Sequence, residues 1–305
     1  MSAETHLEVY RPFQGKLHER SFRAWPLLTT GLTTALKQRK ALLLLFLPAF
    51  VVTVIMCFAV WVKFRAEVMV ESRGEEMDFQ AQIMQGMVKA QAEQLFGVVT
   101  MILFFAQGMG GFALLAVSWF ASGLFCEDRK AGAHQLYFAR PITRLDYFLG
   151  KFLTASFFSV CAMLVPLLSV CIAAAIFSPE WSFLKKEWDV IPRVIGFSLL
   201  WTVVVSSLVL MASSLASRKS FALLAIFGLV MLSVPFAAIL GEFVDKKLFA
   251  LALFVDLNVL AHHFLGRPGE IDGVTSGSAW VAVLALLALS WMIIAWRLRR
   301  LEVVA

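Results

Sequence analysis

The chain has 305 residues, of which 60% are hydrophobic and 16% are charged, and its mean hydropathy is +0.80. Soluble domains carry about 25% charged residues, so this composition excludes a water-soluble globular protein and indicates an integral membrane protein. The formal net charge is +6. The interpretation of this excess of basic residues depends on where they lie along the chain.

Six apolar runs are long enough to cross a bilayer as helices. They cover residues 41–62, 96–125, 152–177, 191–215, 221–240 and 279–296. The predicted fold is therefore an all-α membrane protein with six transmembrane helices, and residues 41–305 form its transmembrane domain. The apolar runs contain no Asp or Glu, and their only basic residue is Arg193.

Lysine and arginine counts set the predicted orientation, because cytoplasmic connections are enriched in both residues. With both termini in the cytoplasm, the inner segments hold 17 basic and 7 acidic residues, whereas the outer segments hold 10 and 14. We therefore predict a multi-pass protein with both termini in the cytoplasm. This topology accounts for the net positive charge, so we expect membrane lipids, and no nucleic acid, among the partners.

Residues 1–40 form a cytoplasmic N-terminal segment, and their second half predicts an amphipathic helix. Pro26 suits a first helical position, and apolar residues from Leu28 to Leu36 recur at helical spacing before a basic cluster at 37–40. We expect this helix to lie in the inner membrane interface. An alternative, in which the basic cluster only stops membrane insertion, stays open.

The connection between the fifth and sixth runs, residues 241–278, is mostly apolar but contains Asp256 and Asn258. We predict a broken helix that dips into the outer leaflet, because a seventh crossing would place the C-terminal arginines outside. His262 and His263 are adjacent and point about 100° apart on a helix, so we do not expect them to share a metal ion.

Two spans carry small residues that predict close helix packing. Residues 107–116 of the second span are rich in glycine and alanine, and residues 206–214 of the fourth span contain four serines. We expect both stretches to pack inside the helix bundle. Residues 63–95 are expected to extend the second span outward, because a loop of that length without secondary structure is unusual.

No pattern in the sequence indicates a catalytic centre. The G-x-x-x-x-G-K-[ST], H-E-x-x-H and G-x-S-x-G motifs are all absent, so we expect no catalytic residue, no metal site and no cofactor in this chain. Proton- and cation-coupled transporters keep titratable residues within the membrane. Because the six runs lack them, secondary transport is disfavoured, and energy for any transport is expected from a partner.

Residues 126–151, between the second and third runs, form a strongly charged connection. Glu127 and Asp128 fall at the C-terminal end of the second span, where negative charge is unfavourable to the helix dipole. We therefore expect these carboxylates to pair with a basic residue: Arg129, Arg140, Arg144 or one from a partner protein.

Turn signals flank a short helix within this connection. Gly132 permits a sharp change of direction, and residues 133–139 are long enough for two helical turns that carry Leu136 and Tyr137. Pro141 ends this helix, because proline disfavours helical geometry at the residue before it. A short transverse helix between two spans is an element that can transmit a displacement.

A capping box starts the next helix. Thr143 is followed three residues later by Asp146, which predicts a helix that runs from there through Lys151 into the third span.

The connection resembles the cytoplasmic-loop signature of the ABC-2 type exporter permeases, in which a glutamate, a glycine, an Arg-Pro step, a further arginine and a Gly-Lys pair precede the third span. The matching residues are Glu127, Gly132, Leu136, Arg140, Pro141, Arg144, Gly150 and Lys151. The resemblance extends from about Pro26 to the end of the chain. Ala133 and His134 replace a Thr-Leu step that is common in the family, which leaves the subfamily open.

The resemblance implies a fold, and it assigns ATP binding to a separate subunit. The fold has an N-terminal amphipathic helix, six spans and a broken helix between spans five and six. The connection 126–151 becomes a coupling loop whose helix docks on a separate ATP-binding-cassette ATPase, which binds ATP and Mg²⁺. A second permease, either a copy of this chain or a paralogue, completes the assembly. The expected coupling interface comprises Glu127, Gly132, Leu136, Tyr137, Arg140, Pro141, Arg144 and Lys151.

Two functional hypotheses follow from the resemblance. In the first, the chain is a permease subunit that couples ATP hydrolysis by the ATPase to export or movement of a substrate across the cytoplasmic membrane of a prokaryote. In the second, it is a scaffold or force-transmitting subunit of an ABC-type complex and moves no solute itself. The sequence leaves the substrate open.

Overall fold

The computed structural model describes residues 24–74, 97–133, 142–243, 246–267 and 273–300. This part of the chain is predominantly helical and contains no β-strand, so the all-α prediction is confirmed. The α-helices are α1 (Trp25–Leu36), α2 (Arg39–Gly74), α3 (Val98–Ala121), α4 (Gly123–Lys130), α5 (Arg144–Ser159), α6 (Val165–Phe177), α7 (Ser182–Lys186), α8 (Val190–Leu215), α9 (Lys219–Phe243), α10 (Leu253–Phe264) and α11 (Ser276–Arg299).

Within the described residues, six helical segments are long and apolar enough to cross a membrane, which confirms the predicted number. Spans one to six are Phe46–Met69, Val98–Lys130, Arg144–Phe177, Val190–Leu215, Lys219–Phe243 and Ser276–Arg299. Span three begins earlier than the apolar run at residue 152, because the cap at Thr143 starts the helix about two turns before the sequence becomes apolar.

Span four lies at the centre of the bundle. In the most apolar window of each span, 67% of the residues of span four are buried, compared with 11% in span one, 17% in span five and 22% in span six. Spans two and three complete the interior and pack directly on span four. Spans one, five and six therefore present most of their apolar surface to lipid or to another membrane protein.

The serines of span four pack inside the bundle, as predicted. Ser206 Oγ lies 3.1 Å from Ser159 Oγ of span three. The indole nitrogen of Trp291, in span six, donates a hydrogen bond of 2.8 Å to Ser207 Oγ. The hydroxyl groups therefore join span four to two of its neighbours.

The small residues of span two divide between two faces. The position of a Cβ at Gly110 would lie 3.4 Å from the Phe254 ring, so this glycine packs in the bundle. At Gly108 and Gly111 no described atom lies within 4 Å of such a position. The prediction that the whole stretch packs inside was wrong for Gly108, which is exposed, whereas Gly111 is half-buried.

Helix α1 begins with Pro26 in its first turn, as predicted, and lies against span three. Its buried residues are Leu27 and Ala35, whereas Leu36 is 48% exposed. The buried face is thus rotated from the face that the leucine spacing predicted. The position of this helix in the membrane interface stays a prediction.

Span three changes its helical hydrogen-bonding pattern about midway along its length. A π-helical turn, Val160–Leu164, joins α5 to α6. Pro166 follows at the start of α6, and proline both lacks a backbone N–H and crowds the carbonyl four residues earlier. The wider turn relieves this crowding.

The chain between spans five and six contains a 3₁₀-helix, Lys246–Leu251, followed by α10. Ala252 separates the two with extended geometry, and Gly266, at φ 73°, turns the chain after α10. Both pieces are too short to cross a bilayer. This arrangement matches the predicted broken helix, whose depth in the membrane stays a prediction. Of the expected outward extension of span two, residues 63–74 instead continue helix α2, which contains span one, and residues 75–95 lie outside the described residues.

Candidate coupling site

The structure describes both ends of the connection 126–151 and leaves out its middle. Glu127, Gly132, Arg144 and Lys151 are among the described residues. The other residues predicted to form the coupling interface lie outside them, as does the expected transverse helix: Leu136, Tyr137, Arg140 and Pro141. The candidate site is therefore built from the C-terminal end of span two and the N-terminal end of span three.

The first end is a helix that stops at a left-handed glycine. Helix α4 ends at Lys130, and Gly132 adopts φ 67°, a conformation that glycine accepts without steric cost. The Gly132 N–H donates to the carbonyl of Arg129 at 3.2 Å. Glu127 is exposed, and its carboxylate folds back over Gly123, where an added Cβ would lie 2.8 Å from Glu127 Cδ. The predicted change of direction at Gly132 is confirmed.

The second end begins with the predicted capping box. The Asp146 N–H donates to Thr143 Oγ1 at 3.1 Å, and the Thr143 N–H donates to Asp146 Oδ2 at 3.0 Å. These two bonds satisfy backbone donors that would otherwise lack partners at the start of α5. They fix where the helix begins, and therefore which face of it carries Tyr147 and Lys151.

A buried ion pair joins the two ends. Lys151 Nζ lies 2.7 Å from Asp128 Oδ2, and the Tyr147 hydroxyl donates to the same oxygen at 2.9 Å. Tyr147 and Lys151 are four residues apart on α5, so their side chains share one face of the helix. We call Asp128, Tyr147 and Lys151 the inner triad.

The partner of Asp128 was not predicted correctly. The expected partner was Arg129, Arg140, Arg144 or a basic residue of another protein, whereas the bond is to Lys151. The guanidinium of Arg129 is instead hydrogen-bonded to the carbonyl of Ala216. Sequence proximity was a poor guide, because facing helices place Lys151 beside Asp128.

The inner triad is largely shielded from water. Lys151 is 5% exposed and Tyr147 is 1% exposed. Removing charges from water costs several kcal/mol per ion, so a buried pair persists only with close geometry and additional hydrogen bonds. The Tyr147 hydroxyl supplies an additional donor. Separation of spans two and three at this end would leave a buried charge without its partner, so the triad holds them together.

Span four is hydrogen-bonded to the C-terminal end of span two. Ser213 Oγ accepts hydrogen bonds from the backbone N–H of Phe125, at 3.0 Å, and of Cys126, at 3.4 Å. Arg129 also bonds to Ala216, just beyond the end of span four. Ser213 was predicted only to pack in the bundle, and no local sequence pattern marks it as an acceptor for another span.

Helix α1 is seated against span three next to the inner triad. An added Cβ at Gly150 would lie 2.6 Å from Leu27 Cβ and 3.2 Å from the Ala24 carbonyl oxygen. One at Gly31 would lie 2.8 Å from Thr154 Oγ1. Two glycines, one on each helix, therefore allow the backbones to approach closely.

Residues 25–302 match a family model described as ABC-2 family transporter protein. The match covers nearly the whole chain. The chain belongs to this ABC-2 family. The resemblance seen in the connection 126–151 is therefore confirmed at the level of the family. The ABC-2 protein is a multi-pass membrane protein and a permease, the membrane subunit of an ABC transporter. A search of curated proteins finds no match.

The permease has a second cluster of polar side chains, toward the end of the spans opposite the inner triad. The Gln107 carboxamide nitrogen donates to Asn258 Oδ1 and lies 3.2 Å from His262 Nε2. Beside it is a cavity of about 280 Å³ between spans two and four and α10, with aromatic walls that include Trp201 and Phe254. These contacts hold α10 against span two.

Asp256 of α10 is 2% exposed, and its Oδ1 atom has no hydrogen-bond partner among the described residues. Burial raises the pKa of the Asp256 carboxyl to about 8, because the charged form loses its hydration. In the sequence Asp256 is a polar interruption of an apolar segment, and its burial depends on how the neighbouring helices pack.

Proposed function

We propose that this permease couples ATP hydrolysis by a separate ATP-binding-cassette ATPase to the export or movement of a substrate across the cytoplasmic membrane of a prokaryote. In this proposal both termini are cytoplasmic, and the connection 126–151 receives the movement of the ATPase. ATP and Mg²⁺ bind to the ATPase, and this chain supplies no catalytic residue. The observation that supports the proposal most directly is the inner triad, which fastens both ends of this connection to the bundle.

The contacts at the junction give a physical route for a displacement. The ion pair between Asp128 and Lys151 joins span two to span three, and Ser213 joins the start of α4 to span four. Closely packed helices with buried polar ties resist relative sliding. A displacement of the connection would therefore reach three spans, including the central one.

The described interface residues would have different roles. Glu127 and Arg144 are exposed, and Gly132 is partly exposed, so all three are available to contact an ATPase. Lys151 is buried against Asp128. Its role in coupling would be to hold span three to span two rather than to touch the partner.

The exposed apolar surfaces of spans one, five and six support the proposed second permease, a copy of this chain or a paralogue. Low burial of these spans within one chain leaves surface for another subunit and for membrane lipids. In this proposal the substrate path lies between two permeases.

The experiment that tests the proposal is reconstitution of the permease with an ATP-binding-cassette ATPase from the same organism. Glu127→Ala should keep the fold, as measured by thermal unfolding. The stimulation of ATP hydrolysis by the permease should fall at least about five-fold. The matched control is Glu187→Ala, which removes an exposed carboxylate from the connection between spans three and four. Unchanged stimulation in Glu127→Ala, or equal losses in both variants, would contradict the assigned interface.

A further inference from the structure

A groove runs between the start of span three and the end of span six, and nothing in the described part of the chain fills it. Its volume is about 350 Å³. Arg144 and Arg299 lie at the mouth, whereas the walls are apolar and include Leu145, Phe148 and Trp291. Both flanking helices pack on span four, which leaves the gap between them open to the surroundings.

The two arginines lie at the same membrane surface. Arg144 is the first residue of α5, and Arg299 is the last residue of α11. Consecutive spans alternate in direction, so the start of span three and the end of span six are on one side of the bilayer. In the proposed orientation that side is the cytoplasmic one.

The mouth of the groove carries two positive charges. Both arginines are exposed, and within the described residues no ion pair is formed by either. Asp146, the nearest carboxylate along α5, is held by the Thr143 cap. A guanidinium presents parallel N–H donors that match the oxygens of a phosphate.

The walls of the groove extend from the charged mouth into the apolar part of the spans. Trp291 lies eight residues before Arg299, roughly 12 Å along the helix at 1.5 Å per residue. The indole ring is held in place by its hydrogen bond to Ser207. Leu145 is 71% exposed and Trp291 is 48% exposed, so both offer apolar surface to an occupant.

We propose that this groove binds an anionic phospholipid, with the phosphate at Arg144 and Arg299 and an acyl chain against the apolar walls. The apolar walls belong to membrane-spanning helices, so a water-soluble partner would reach only the arginines at the mouth. A lipid combines the required negative head with an apolar tail, and basic pockets between spans are a general way to hold such headgroups. The site adds a lipid ligand to the proposed permease, and only its assignment to the inner leaflet depends on the proposed orientation.

The test measures lipid retention by the purified permease alone, so its result is independent of the proposed ATPase coupling. The permease is reconstituted in nanodiscs that contain equal amounts of phosphatidylglycerol and phosphatidylcholine, and the retained lipids are counted by native mass spectrometry after transfer to detergent. The wild type should retain phosphatidylglycerol preferentially. In the double variant Arg144→Gln with Arg299→Gln, the ratio of retained phosphatidylglycerol to phosphatidylcholine should fall at least about ten-fold.

Two further variants separate the groove from general surface charge. Arg218→Gln removes an exposed arginine from the connection between spans four and five, at the same membrane surface, and should leave the preference unchanged. Ala295→Trp keeps both arginines and fills the groove, so it should reduce retention. Equal retention by the double variant, an equal loss in Arg218→Gln, or full retention in Ala295→Trp would overturn the proposal.

Discussion

Lys151 Nζ and Asp128 Oδ2 lie 2.7 Å apart, although the two residues belong to different spans and are joined by the charged connection between them. The Tyr147 hydroxyl bonds to the same carboxylate oxygen. The pair closes the base of the connection, so that whatever moves this connection also moves spans two and three together.

Breaking the pair from one side should be more harmful than removing it altogether. Lys151→Met and Asp128→Asn should each destabilise the permease by about 3–5 kcal/mol, because each removes a close and largely buried ion pair. The double variant should recover a substantial part of the loss. A double-mutant cycle on unfolding in mixed micelles measures the coupling energy between the two side chains.

The matched control for this cycle is the pair formed by Lys63 and Glu67, which are one helical turn apart. Lys63 Nζ lies 3.5 Å from Glu67 Oε1. Its side chains are more exposed, so Lys63→Met should cost less than about 1 kcal/mol. Additive effects of Lys151→Met and Asp128→Asn would refute the assignment of a buried, coupled pair.

Ser213 should matter more than other buried serines. Ser213→Ala removes the acceptor for two buried backbone N–H groups, those of Phe125 and Cys126, and should cost about 1–3 kcal/mol of unfolding free energy. Ser118→Ala is the control, because Ser118 is buried and its hydroxyl has no hydrogen-bond partner among the described residues. The control should be close to neutral, and similar losses in both variants would argue against the tie to span four.

Glycine-to-alanine changes should have opposite signs at two helical positions. Gly150→Ala places a methyl group 2.6 Å from Leu27 Cβ and should displace α1 and lower the unfolding temperature. Gly228→Ala meets no described atom within 4 Å and should stabilise the helix by about 0.5–1 kcal/mol, since glycine is the poorer helix former. Hydrogen exchange in residues 24–36 reports detachment of α1, and unchanged exchange in Gly150→Ala would contradict the contact.

Stability should depend on pH through Asp256. Because its pKa in the folded state, about 8, is higher than in the unfolded chain, the folded state binds the proton more tightly, and stability falls as pH rises from about 4 to 8. Asp256→Asn removes this dependence and should be more stable than the wild type at pH 9, with little difference at pH 4. Unfolding temperatures at the two pH values test this, with Glu242→Gln, which removes an exposed carboxylate, as the control.

Much of the fold could be predicted from local pattern. Apolar length gave six spans, and the spacing of Thr143 and Asp146 gave the start of span three, because a capping box is a short-range interaction between residues three apart. The turn at Gly132 followed from the backbone freedom of glycine. Each of these features depends on neighbouring residues along the chain.

The contacts of the candidate site depend on how helices face one another, and the sequence does not encode this locally. Asp128 was expected to pair with a nearby arginine, yet its partner is Lys151 on another span. Ser213 looked like one of several packing serines. The outward position of Gly108, and the enclosure of Asp256, were likewise hidden because helical periodicity alone does not say which neighbour covers which face.

The central claim is that the connection 126–151 meets an ATPase at the cytoplasmic surface, and site-specific photo-crosslinking in the assembled complex tests it most directly. A photoreactive amino acid at position 131, which is exposed at the end of α4, should form a cross-link to the ATPase. The same probe at position 188, exposed between spans three and four, should form none. A cross-link from position 188, or none from position 131, would contradict the account.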